Sequence, residues 1–337
     1  MKILLTGGTG YIGSHTAVEL IQQGFDVLIV DDLSNSSVEV LDRIDKITGI
    51  KPEFIQLDLR DYAAISKVFD THHLDGIIHF AAKKAVGESV KKPVLYYDVN
   101  VNSLLNLTKL MQKHGDLPLV FSSSCTVYGQ PDKLPVTEQT PFQPAESPYG
   151  NSKQVCEEIL RDTCYSDPSV NAISLRYFNP VGAHDSALIG ELPLGVPANL
   201  IPYITQTAIG MRDELKVYGH DYPTPDGTAI RDYIHVVDLA KAHVKAVRRL
   251  ADQKQKNNYE YFNLGTGKGS SVLQVIQTFE QVNKLKLNYQ IVERREGDVI
   301  QIYADTTFAN EELGWKTELG LEEMMSSAWK WQKFIGA

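Results

Sequence analysis

The chain has 337 residues, 43% of them hydrophobic and 22% charged, which suits a globular protein and leaves material for two domains. Its net charge of −9 argues against a nonspecific nucleic-acid surface, so an anionic ligand needs local donors. Cys125, Cys156 and Cys164 lack framework spacing and read as reduced thiols of a cytoplasmic protein, no run is long enough to span a membrane, and no spacing suggests a metal.

Met1–Gly7 is too short an apolar run for a signal peptide. Within it, Ile3–Thr6 reads as a buried strand, and Ile12–Gln23 as a helix closed by Gly24. Between them stand Gly7, Gly8, Gly10 and Gly13. A lone glycine fingerprint is weak, but the strand before and the helix after it favour a dinucleotide loop over a plain turn. Gly7 and Gly8 permit the tight turn, Gly10 lets backbone approach a pyrophosphate, and Gly13 lets the helix pack closely. The helix N-terminus offers free N–H groups to that pyrophosphate.

Val27–Asp31 is the next strand. Asp31 at its end suits ribose hydroxyls and would repel a 2′-phosphate, so NAD is favoured over NADP. A helical pattern at Val38–Thr48 precedes a strand at Glu53–Leu57, followed by Asp58, which suits an adenine edge or is an ordinary loop aspartate. Tyr62–Asp70 is helical, and Gly76–Phe80 is a strand leading into Ala81, Ala82, Lys83 and Lys84. Lys84 suits a phosphate, or plain solvent.

Pro93–His114 is a long helical pattern and Leu117–Ser122 the fifth strand. Ser147 can cap a helix that Pro148 opens, which places Tyr149 and Lys153 on one face, four residues apart. Asn171–Leu175 is a further strand. Short apolar runs without alternation, separated by helices, indicate an α/β fold with a doubly wound parallel sheet.

Residues 176–235 are rich in Pro, Gly, Asn and Tyr and carry short elements. Helical patterns return at Val236–Leu250, Ser271–Asn283 and Leu321–Phe334, with a polar surface loop at Ala251–Asn258. The expected division is a dinucleotide-binding Rossmann domain over 1–180 and a smaller mixed α/β domain over 181–337, with room for the chain to cross back. Gly265–Ser270 resembles a phosphate loop, but its lysine is followed by glycine; a turn and cap before the helix at Ser271 is the better reading.

Ser124, just past the fifth strand, joins Tyr149 and Lys153 in a constellation suited to oxidising an alcohol beside a nicotinamide. Bringing a tyrosine from ~10 to ~7 takes roughly 4 kcal/mol. A helix N-terminus gives about 0.3–1 kcal/mol, whereas a nearby cation gives about 1–3 pKa units. Lys153 is expected to supply much of the shift and the oxidised nicotinamide the rest.

These residues, with Lys84–Ser89, Arg176–Ala183, Asp226–Thr228, Arg231–His235 and Arg294–Asp298, carry a resemblance along nearly the whole chain. The sequence resembles the extended short-chain dehydrogenase/reductases, and within them the branch that epimerises UDP-sugars at C4. The resemblance implies reversible epimerisation of UDP-galactose and UDP-glucose through a 4-keto sugar, with transient hydride transfer to bound NAD. Tyr149 would be the base, Ser124 would bond the reacting oxygen, and Lys153 would hold the nicotinamide ribose. It implies cofactor contacts from Gly7, Gly10, Tyr11, Ile12, Gly13, Asp31, Asp32, Leu33, Ser34, Asn35, Ser36, Asp58, Leu59, Phe80, Ala81, Ala82, Lys84, Ser122, Tyr149, Lys153, Tyr177 and Phe178. It implies UDP-sugar contacts from Ser124, Tyr149, Asn179, Asn199, Leu200, Tyr218, Arg231, Arg295, Asp298 and Ile302, and a homodimer. Forked guanidinium groups at Arg231 and Arg295 suit a diphosphate, and Asp298 suits a ribose hydroxyl.

Some positions depart from the branch. Val99 replaces an asparagine that often touches the cofactor, Ala82 a glycine, and Cys125 an alanine; Cys125 reads as packed rather than nucleophilic. Ile302 stands where a bulky aromatic narrows the sugar pocket and smaller residues admit N-acetylated sugars, so UDP-GlcNAc and UDP-GalNAc are alternative substrates. A nucleotide-sugar dehydratase needs a carboxylate pair after the fifth strand, where this chain has Cys125 and Thr126. A noncatalytic NAD sensor would have no use for Ser124, Tyr149 and Lys153 together.

Overall fold

The computed structural model describes residues 1–115, 117–294 and 299–336. The first half runs β1 (Lys2–Thr6), α1 (Tyr11–Gln22), β2 (Asp26–Asp31), α2 (Glu39–Thr48), β3 (Glu53–Gln56), α3 (Tyr62–Thr71), β4 (Gly76–His79), α4 (Val86–Lys91), α5 (Pro93–His114), β5 (Leu119–Ser124), α6 (Pro148–Ser166) and β6 (Ala172–Tyr177). The chain continues through β7 (Asn179–Val181), α7 (Leu200–Ala208), β8 (Leu215–Tyr218), β9 (Ile230–His235), α8 (Val236–Ala251), β10 (Tyr259–Leu264), β11 (Gly269–Ser271), α9 (Val272–Asn283), β12 (Tyr289–Val292), β13 (Gln301–Ile302) and α10 (Leu321–Ile335).

Seven parallel strands form the main sheet in the order β10-β6-β5-β4-β1-β2-β3. The winding reverses between β1 and β4, which opens a crevice at their carboxyl ends. Alternation within the strands serves two cores. Leu5, Ile29, Ile78 and Val120 face Val18, Ile44 and Val247 on one side. Leu4, Leu28, Ile77 and Leu119 face Ile65, Leu107 and Leu160 on the other. Both faces being covered explains the continuous apolar runs.

The smaller layer holds a sheet built on β9, which pairs with β7, β11 and β13, and a β8–β12 pair. Ile204, Val217, Ile276, Phe279 and Met325 form its core. The layers meet where Tyr11 donates its hydroxyl to the Gly182 carbonyl at 2.6 Å. Arg43 lies 5.4 Å from the Trp331 ring centre at the same junction.

Two differences from the sequence expectations have local causes, and one expected turn has a partner the sequence did not show. The strand expected at Leu117–Ser122 lies at Leu119–Ser124, because register with β6 carries pairing on to Ser124 opposite Tyr177. Strand β10 went unread because Glu260 and Asn263 interrupt its apolar pattern. In place, Glu260 pairs with Arg249 at 2.6 Å, and Asn263 accepts from the Tyr128 hydroxyl at 2.6 Å. The turn at Gly265–Ser270 is wrapped around an internal anion. The Asp232 carboxylate accepts from Thr266 N at 2.8 Å and Gly267 N at 3.1 Å, while Ser271 caps α9.

Candidate active site

The glycine loop lies in the crevice between β1 and α1. Gly7 has φ +71°, and a Cβ there would sit 2.7 Å from Ala81 N. A Cβ on Gly13 would sit 2.2 Å from the Gly7 carbonyl oxygen, so α1 approaches the turn as only glycine allows. Gly10 caps α1 without a side-chain bond, and no acid stands in the first turn. The N–H groups around Tyr11 and Ile12 therefore present an uncompensated positive end, suited to a pyrophosphate.

Asp31 organises the adjoining loop. Its carboxylate accepts from Thr9 N at 3.2 Å, Leu33 N at 2.9 Å and Ser36 Oγ at 3.1 Å. Asp32 accepts from Ser34 N at 2.8 Å, and Ser34 and Asn35 are exposed beside it. This arrangement leaves carboxylate acceptors for ribose hydroxyls, and their negative charge would repel a 2′-phosphate. Asp58 is less open than the sequence suggested. Arg60 grips its carboxylate from Nη2 at 2.6 Å and holds its pKa below the ordinary value, while Leu59 is buried in the core. The residues fit NAD.

Phe80, Ala81 and Ala82 line the opposite lip, where the Phe80 ring lies 4.6 Å from His243. Lys84 is half exposed and pairs with Glu191 at 3.1 Å.

The catalytic candidates converge where β5 meets the first turn of α6. Ser147 accepts from Gly150 N at 3.1 Å and Pro148 opens the helix. The Ser124 hydroxyl accepts from Thr126 N at 3.2 Å and stands near enough to the Tyr149 phenol to favour its ionised form, and the Lys153 ammonium lies 6.0 Å from the Tyr149 ring centre. Lys153 Nζ donates to the Ser122 carbonyl at 2.6 Å, and Ser122 Oγ hydrogen-bonds the Tyr177 hydroxyl.

The electrostatics differ from the expectation for Lys153. Burial pushes the Tyr149 phenol up to about 12, with the nearby Ser124 hydroxyl partly offsetting it. Burial also lowers Lys153 to about 8. Desolvation is the largest cause for both groups, and the ammonium donates to the Ser122 carbonyl. Burial likewise pushes the Cys125 thiol up to about 12, which leaves a packed, weakly acidic group.

Across the crevice, Asn179 starts β7 opposite Tyr233, and Phe178 is buried just before it. Asn199 precedes α7 and Leu200 begins it; Tyr218 closes β8. Arg231 lies on β9 opposite Ile302 of β13, with its Nη1 donating to the Ile230 carbonyl at 2.8 Å. Ile302 packs in a buried cluster with Val127, Phe178 and Cys125. Arg295 and Asp298 lie outside the described residues.

Two supporting residues escaped the sequence reading. Buried Asn100 accepts from Lys83 N at 2.8 Å and donates to Ser152 Oγ at 2.9 Å, tying the Phe80–Lys84 loop to the Tyr149 turn. Glu157, one turn beyond Lys153, takes a buried fork from Arg176 at 2.6 Å and accepts from Ser123. A polar residue on the apolar face of a helix was the available signal for both.

A family model described as GDP-mannose 4,6 dehydratase matches residues 4–328. A UDP-glucose 4-epimerase of Dictyostelium discoideum is 51% identical over 98% of this chain and 95% of the relative. A crystal structure of UDP-glucose-4-epimerase from Stenotrophomonas maltophila with bound NAD and formylated UDP-arabinopyranose superposes with a TM-score of 0.96. It is 49% identical and covers 100% of this chain and 99% of the other. The Bifidobacterium longum UDP-glucose 4-epimerase in complex with NAD+ and UDP superposes at 0.93, with 49% identity over 99% and 98% of the two chains.

Proposed function

Because the chain belongs to the UDP-glucose 4-epimerase family, within the extended short-chain dehydrogenase/reductases, we propose that Ser124, Tyr149 and Lys153 carry its catalysis. The enzyme is an NAD-dependent isomerase that interconverts UDP-galactose and UDP-glucose at C4. The convergence of Ser124, at the end of β5, with Tyr149 and Lys153, in the first turns of α6 where Lys153 is tied to the Ser122 carbonyl, supports the assignment of roles.

NAD held by the Gly7–Gly13 loop and Asp31 would supply a reversible hydride acceptor for C4 of the sugar. Tyr149 takes the proton of the 4-hydroxyl and later gives one back. Ser124 donates to the reacting oxygen and keeps it within reach of the phenol. Lys153, fixed on the Ser122 carbonyl, holds a ribose hydroxyl and lends positive charge. Burial holds Tyr149 protonated, and positive charge placed beside the phenol would favour its ionised form.

Asn179, Asn199, Leu200, Tyr218 and Arg231, with Arg295 and Asp298, hold the UDP portion while the sugar turns over. Cys125 and Thr126 supply no carboxylates for dehydration. A second reading extends the substrates to UDP-GlcNAc and UDP-GalNAc, because Ile302 fills less of the sugar pocket than an aromatic ring. The family resemblance further supports a homodimer, and the three free cysteines a cytoplasmic location. No helix among the described residues is long and apolar enough to cross a membrane.

Purified protein should be incubated without added NAD, with UDP-galactose and separately with UDP-GalNAc. Conversion of UDP-galactose to UDP-glucose is expected. Its absence even with NAD supplied would overturn the reading.

A further inference from the structure

Glu191 sits between the two halves of the site and belongs to neither set of contacts described above. Its Oε1 accepts from Lys84 Nζ at 3.1 Å and from Asn199 Nδ2 at 2.7 Å. Lys84 stands on the cofactor lip after β4, and Asn199 stands at the N-terminus of α7. The side chain is 12% exposed, so the carboxylate is largely shielded from water. Its backbone is pinned separately, since Trp331 Nε1 donates to the Glu191 carbonyl at 2.8 Å. A Cβ on the preceding Gly190 would lie 2.5 Å from the Trp331 ring, so the loop packs directly against α10.

The bond to Glu191 has a consequence for α7. Asn199 occupies the cap position but makes no side-chain cap bond, and no acid stands in the first turn. With its amide turned to Glu191, Asn199 leaves the first N–H groups of α7 open to a ligand.

We infer that Glu191 is a positioning residue that couples the NAD and UDP-sugar subsites by holding Lys84 and Asn199 on one carboxylate. The inference rests on the functional reading above, which places the cofactor and the nucleotide on those two sides. Coupling of this kind is reciprocal, so each ligand should strengthen the binding of the other.

The test uses holoenzyme of wild type, E191A, E191Q and K84M. It measures kcat and KM for UDP-galactose, and the rate of NAD loss with and without UDP. E191A should raise KM by ~10-fold or more while kcat changes by less than ~3-fold, and E191Q should restore KM to within ~3-fold of wild type. UDP should slow NAD loss by ~5-fold or more in wild type and by less than ~2-fold in E191A. A wild-type KM in E191A, or equal protection of NAD by UDP in wild type and E191A, would overturn the inference. If E191A does not fold, K84M cuts the same bridge at an exposed side chain, and full protection by UDP in that variant overturns it equally. The NAD-loss arm needs no turnover. Failure of the functional reading, seen as absent epimerisation by wild type, is thereby told apart from failure of the coupling.

Discussion

Lys153 Nζ donates to the carbonyl oxygen of Ser122 at 2.6 Å, on the strand that also carries Ser124. The ammonium is therefore locked to the end of β5 and meets Tyr149 through its ring face rather than its oxygen. Lys153 is a strut as well as a charge. Tyr149 is half-buried, and desolvation pushes its phenol up to about 12, so it needs further positive charge to act as a base near neutrality.

That arrangement separates two variants. Tyr149→Phe removes the proposed base and leaves the packing, so kcat should fall by ~10²–10⁴-fold with NAD retention unchanged. Lys153→Met removes the strut too, so it should lose kcat on a similar scale and also release NAD more readily. Rapid gel filtration followed by assay of bound NAD distinguishes them. Turnover of Tyr149→Phe within a few-fold of wild type would remove Tyr149 from the mechanism.

The proposed place of Ile302 beside the sugar gives a second prediction. Ile302 is fixed opposite Arg231 by strand pairing and packs on Cys125 and Phe178. Ile302→Tyr should reduce kcat/KM for UDP-GalNAc by ~10-fold or more and change UDP-galactose by less than ~3-fold, since overpacking penalises the bulkier ligand first. Equal losses on both sugars would show that Ile302 does not set sugar size.

Elements whose chemistry repeats along the chain were legible in the sequence. The glycine loop, Asp31 and the Ser147–Lys153 turn each declare their geometry over a few residues, and the structure places them on one sheet edge. Relations set by packing were not legible. Glu260 and Asn263 look like loop residues until Arg249 and Tyr128 are seen to satisfy them. The Gly265–Ser270 turn hides its anion, because Asp232 lies a strand away. The balance of burial against charge at Tyr149 depends on where the Lys153 ammonium points, and spacing along a helix does not fix that.

The Glu157–Arg176 pair behind the site carries a third prediction. Both side chains are buried, at 2% and 5% exposure, and Ser123 and Tyr259 complete the Glu157 carboxylate's bonds. Glu157→Gln strands a buried guanidinium and should cost about 3–5 kcal/mol of stability. Replacing both residues by apolar ones of similar volume should cost less than the single change. Denaturant unfolding of the three proteins checks this; a single variant as stable as wild type would show that the pair contributes nothing.

Four buried histidines predict how stability depends on pH. Burial lowers His15 and His79 to about 3, and His235 and His243 to about 4. An unfolded chain binds these protons near pH 6.5, so below that value the unfolded state holds more protons than the folded one. The sign follows: stability is fully present above about pH 6.5 and declines as pH falls toward the folded values. Each histidine should remove roughly 2 kcal/mol by pH 5, before most carboxylates titrate. Thermal unfolding at constant ionic strength should show Tm falling from pH 6.5 to 5. Replacing His243, which touches Phe80 and Tyr177 through its ring, by Phe should flatten that slope by close to one proton. A Tm constant from pH 7 to 5 would mean that these rings do not remain neutral and buried in the folded protein.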